Sequence, residues 1–150
     1  MRDQLTKAMK DAMRNKEEVR LSTIRLMLAA LKDREVALRS EDNAGDLDTA
    51  ECHALFAKMV KQRQESISTY EEAGRMELAE RERIELKVIR EFLPKPLSGP
   101  EIEAAIKAAI SDTGANSIRD MGKVMGALKS RHAGRMDFGA AGAQVKAALG

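Results

Sequence analysis

STYEEAGRMELAERERIELKVIREFLPKPLSGPE, residues Ser68 to Glu101, holds the punctuation that organises this chain. A helical run reaches about Ala73 and stops at Gly74, because glycine takes the positive φ that ends a helix without strain. A second run follows from about Met76 to Phe92. Then come all three prolines of the chain, Pro94, Pro96 and Pro100. Pro94 and Pro96 oppose helix continuation, whereas Ser98 with Glu101 forms a capping box and Pro100 fits the first turn of a new helix. The stretch therefore predicts helix, turn, helix, boundary, helix.

Toward the N-terminus, helical spacing continues. Leu5, Ala8, Met9, Ala12 and Met13 share one face, and Leu21, Ile24, Leu28 and Leu31 recur at three and four, with a break near Asn15 and Lys16. The polar stretch Ser40 to Asp48 reads as a loop whose aspartates can cap a third helix. No run alternates apolar and polar residues with the β-branched enrichment of a strand. The expected fold is all-α, a four-helix N-terminal domain over 1–93 and a small three-helix domain over 98–150.

Within the second domain the predicted helices are Glu101 to about Ser111, one capped by Asn116 or Ser117, and a last one capped by Asp137. Their apolar faces are Ile102, Ala105, Ile106 and Ala109; then Ile118, Met121, Val124, Met125 and Leu128; then Ala141, Val145, Ala148 and Leu149. Gly122 and Gly126 interrupt the middle helix, each costing about 1 kcal/mol relative to alanine. Four apart, they form a close-approach strip, expected to receive a neighbouring helix or a ligand.

The 150 residues carry a net charge of +2, unevenly placed. Lys and Arg outnumber Asp and Glu by 10 to 6 over residues 1–39 and by 8 to 5 over 94–150, but trail 8 to 13 over 40–93. Basic ends point to a polyanion contact. No segment approaches the roughly 18 apolar residues of a membrane span, and MRDQLTKAMKD is polar where a secretory signal is apolar, so the chain reads as cytoplasmic. The single Cys52 forms no internal disulfide, and Cys52 beside His53 points about 100° away on a helix, so neither metal nor cofactor is expected.

Charge also interrupts two apolar stripes: Arg63 in Phe56, Val60, Arg63, Ile67, Tyr70, and Glu82 with Glu85 in Leu78, Glu82, Glu85, Ile89, Phe92. Paired carboxylates can perform acid and base chemistry, but an arginine on the facing stripe makes a structural ion pair of Arg63, Glu82 and Glu85 the simpler expectation, with solvent exposure as the remaining alternative.

KQRQESISTYEEAGRMELAERERIELKVIREFLPKPLS, followed by TGANSIRDMGKVMGALK and GRMD, resembles the GatB/YqeY family, in particular its small free-standing members, over essentially the whole chain. The resemblance implies a C-terminal domain similar to the tail of the B subunit of glutamine-dependent tRNA amidotransferase, which contacts tRNA. It also implies the family label of carbon–nitrogen ligase activity with glutamine as amido donor. No P-loop or activated nucleophile is recognisable here, so binding without catalysis is expected.

Mapping DMGKVMG onto Asp120 to Gly126 makes Lys123 the first expected phosphate contact, joined by Arg119, Lys129, Arg131, His132 and Arg135. FGAAGA, Phe138 to Ala143, lacks the charges many relatives carry, which leaves Lys146 as the expected contact of the last helix. Aromatic residues are 3% of the chain, too few for base stacking, so a structured RNA such as tRNA would be met by shape and backbone. The alternative is a helical protein-interaction module for an amidotransferase or another partner, using the Met-rich faces without RNA contact.

Overall fold

A computed structural model of the chain describes residues 1–40 and 47–150, and the described residues form seven α-helices. They are α1 (Arg2–Arg14), α2 (Glu18–Ser40), α3 (Thr49–Glu72), α4 (Met76–Arg90), α5 (Gly99–Thr113), α6 (Met121–His132) and α7 (Phe138–Leu149), with a 3-10 turn at Ile118–Asp120 before α6. The chain packs as two compact units, Met1–Leu93 and Pro94–Gly150. Residues 41–46 of the expected Ser40–Asp48 loop lie outside the described residues.

Capping explains the starts of α3, α5 and α7. Glu51 N–H donates to Asp48 Oδ1 at 2.7 Å while Asp48 N–H donates to Glu51 Oε2 at 3.3 Å, so two otherwise unpaired groups at the start of α3 satisfy each other. Ser98 and Glu101 repeat the arrangement at α5, at 3.3 and 3.1 Å. Asp137 Oδ1 accepts from Gly139 N–H and Ala140 N–H at the start of α7. Ser117 makes no side-chain cap. Instead the chain tightens into the 3-10 turn, and α6 begins only at Met121, later than the cap position predicts.

Three helices end alike. Arg75 N–H reaches Tyr70 C=O at 2.8 Å across Gly74, and Ala115 N–H reaches Ile110 C=O at 3.1 Å across Gly114, with φ of +71° and +66° at the two glycines. The third, Glu17 N–H to Ala12 C=O at 3.0 Å, crosses Lys16 at φ +56°, a conformation that a side chain makes costly.

In the first unit α3 packs along α4, and α2 packs against α1, α3 and α4. Its core joins Leu5, Ile24, Met27, Phe56 and Ile89, each with no exposed surface. Each such side chain contributes on the order of 1.5–3 kcal/mol by leaving water. Met13 and Leu78, expected on buried faces, are exposed. Near the α3–α4 turn Ala79 takes the buried position instead of Leu78, since a small residue lets the two helices approach.

In the second unit α5, α6 and α7 pack pairwise around Ile106, Ala109, Val124, Leu128 and Val145. Ile118 and Ala148, expected in this core, are exposed. The 3-10 turn rotates Ile118 out of the α6 register.

Candidate functional site

α6 presents two unlike sides. Val124 and Leu128 are fully buried, and roughly opposite them, at about 100° per residue, Gly122, Gly126 and Lys129 fall within about 60° of one another. All three are exposed. A Cβ built on Gly122 or Gly126 meets nothing within 4 Å among the described residues.

This overturns packing against a neighbouring helix of the fold as the reason for the two glycines. Among the described residues the buried glycine is Gly142 of α7, where a Cβ would meet the flexible ends of Met121 and Met125 at 3.6 and 3.9 Å. In the sequence Gly142 reads only as a weak point in the first turns of the last helix, because spacing along one helix does not reveal which side faces a neighbour.

The expected cations separate into two sets. Lys129 on the glycine side, Arg119 in the 3-10 turn and Lys146 on α7 are exposed and form no ion pair among the described residues. Lys123 flanks the glycines, 70% exposed, with Asp120 Oδ1 at 4.0 Å, a contact that solvent largely screens.

Arg131 is different: it lies about 180° from Gly122, and its Nη1 is 2.9 Å from Asp112 Oδ2 at the end of α5. Arg135 is half-buried, its Nε donating to Lys95 C=O at 2.9 Å. His132 is half-buried as well, with an enclosed Nδ1 that makes no hydrogen bond among the described residues. Arg131 nonetheless keeps 42% of its side chain in solvent. Arg131 and Arg135 both find partners distant in sequence, Asp112 and Lys95, which helical spacing does not signal.

Of the charged residues on the facing stripes of α3 and α4, Arg63 and Glu85 come together, while Glu82 forms no ion pair among the described residues. Arg63 Nε lies 3.3 Å from Glu85 Oε2, with both side chains more than four-fifths buried. The Nε–H finds no hydrogen-bond acceptor among the described residues, so the attraction is Coulombic, while Arg63 Nη1 donates to Met59 C=O at 3.3 Å. Arg81 adds a second cation 3.5 Å from Glu85 Oε1. Burial pushes the Glu82 carboxyl up and the neighbouring Glu85 charge pushes it further, with Arg63 opposing in part. Cys52 is buried, and that burial raises its thiol; burial likewise lowers His53.

The family model described as Yqey-like protein matches residues 2–149. This chain belongs to the Yqey-like family. Among curated proteins, this Yqey-like protein is similar to "Altered inheritance of mitochondria protein 41, mitochondrial" of Lachancea thermotolerans, with 34% identity over 72% of the chain and 54% of the relative. The protein of the same name from Vanderwaltozyma polyspora is 32% identical over 72% of the chain and 57% of the relative. The chain spans about half the length of the curated relatives it matches.

These names overturn the cytoplasmic assignment, since the curated relatives are named as mitochondrial proteins. Membrane spans and secretory signals are apolar, whereas a mitochondrial address is amphipathic and Arg-rich, so a polar N-terminal stretch does not separate cytosol from mitochondrion.

Proposed function

We propose that this Yqey-like protein is an RNA-binding accessory protein that meets a structured RNA, tRNA in the first instance, by backbone and shape. The observation that carries the reading is the open side of α6. Two glycines sit in a helix at a stability cost that no contact among the described residues offsets, Lys129 and Lys123 stand on or beside them, and Arg119 is exposed in the preceding 3-10 turn. A bare helix surface admits a sugar–phosphate backbone closely, and the adjoining cations neutralise its phosphates. Phe138, the aromatic of this unit, is half-buried against its core, which leaves base stacking no platform.

In this reading the two compact units are domains, four helices over 1–93 and three over 98–150, and the second carries the RNA contact. The amidotransferase resemblance favours tRNA, and the ligase label belongs to chemistry outside the contact. Titrating tRNA against the full chain at several salt concentrations tests it. Binding is expected to weaken linearly in log affinity against log salt, and Lys129→Ala is expected to lower the slope by about one. Absence of tRNA binding at low salt would refute the reading.

A second reading, a protein-interaction module for an amidotransferase or another partner, draws on Met76, Leu78 and Ile84, large apolar side chains left exposed on α4. Recovery of a stoichiometric protein partner after nuclease treatment, lost in Met76→Ser with Ile84→Ser, would favour it over RNA binding.

A further inference from the structure

The segment Pro94 to Leu97 is poorly equipped to hold itself in place. Pro94 and Pro96 have no N–H to donate and exclude helical continuation, so Lys95 and Leu97 are left as the main-chain donors of the segment. It is tied instead to one residue far along the chain. Leu97 N–H donates to Arg135 C=O at 2.8 Å, and Arg135 Nε donates to Lys95 C=O at 2.9 Å.

Arg135 is itself set in position. Its N–H donates to His132 C=O at 3.0 Å, and Gly134 before it turns the chain with φ +76°. The Glu101 carboxylate lies nearby. It is held below the ordinary carboxylate range first by the Ser98 backbone N–H and hydroxyl, with the charges of Arg135 and Lys95 adding to them. Main chain and side chain of one residue thus grip two points two residues apart, which fixes the direction of the segment as well as its distance.

We propose that Arg135 is a latch: its guanidinium fastens Pro94–Leu97 to the turn between α6 and α7 and sets the mobility of that segment. The guanidinium acts as a directed donor to the Lys95 carbonyl. Phosphate binding is a separate matter, carried by the open side of α6, and the latch stands whether or not RNA binds there.

The test uses the full chain and amide hydrogen exchange read residue by residue, with three substitutions. Arg135→Gln places an amide Nε2 on Cδ, where arginine carries Nε, which preserves a donor without charge; Arg135→Lys preserves charge without a donor at that atom; Arg135→Ala removes both. Leu97 N–H is expected to exchange about tenfold faster in R135A and R135K and within about threefold of the parent in R135Q, with Leu128 N–H unchanged throughout. Should R135A not fold, the R135Q and R135K pair decides alone. Unaltered Leu97 exchange in a folded R135A, or protection that follows charge in R135K and fails in R135Q, would overturn the latch.

Discussion

Replacing Gly126 by alanine adds a methyl group where nothing among the described residues lies within 4 Å, in the interior of an exposed helical side. No contact is strained and the unfolded chain loses freedom, so the folded state gains about 1 kcal/mol. Gly122, in the first turn of α6, gives about half as much, since helix propensity acts weakly at an end. The double substitution is thus worth about 1.5 kcal/mol, or about a tenfold rise in the ratio of folded to unfolded protein. Exchange of the Val124 and Leu128 amides, on the buried side of the same helix, reports this unit alone and is expected to slow about tenfold. The same two methyl groups stand between the helix and an approaching backbone, so tRNA affinity is expected to fall as stability rises. Destabilisation by Gly126→Ala would refute the open side of α6. Stabilisation with unchanged tRNA affinity would refute the contact.

Other outcomes follow from the same geometry. Arg131→Ala is expected to leave the salt slope of tRNA binding unchanged, because its guanidinium is engaged by Asp112; a loss of one unit in a salt titration would return it to the interface. Glu82 has a raised carboxyl, so between the ordinary carboxylate range and its folded value the native state holds more protons than the unfolded one, and stability falls as pH rises there. Glu82→Gln should flatten that fall and add about 0.2–0.5 kcal/mol at neutral pH in urea titrations, and an unaltered pH profile would contradict the assignment. Arg63→Met alone is expected to cost about 1–3 kcal/mol, more than Arg63→Met combined with Glu85→Leu, because it leaves the buried Glu85 charge only the exposed Arg81 as partner; equal costs in the two proteins would contradict the pair. Lys16→Gly should stabilise by about 1 kcal/mol by relieving the positive φ at the α1–α2 turn, as seen in the denaturation midpoint.

Much of this protein was legible along the chain because the signals are local. Gly74, the prolines and the Ser98–Glu101 and Asp48–Glu51 boxes act within four residues, and the period of Ile24, Leu28 and Leu31 needs no partner to be seen. Local rules failed at Ser117, where a 3-10 turn displaced the expected cap and carried Ile118 out of register. The tertiary structure alone decided which side of α6 is covered, turning Gly122 and Gly126 outward and giving Gly142 the buried place. It also gave Arg131 and Arg135 partners in Asp112 and the Lys95 carbonyl. The sequence by itself determined where most helices begin and end, the start of α6 excepted, since those limits follow from backbone dihedrals and residues one turn apart. Which side meets a neighbour, and which charge finds a partner, depends on chain segments brought together from 19 to 40 positions apart, and no local spacing encodes that.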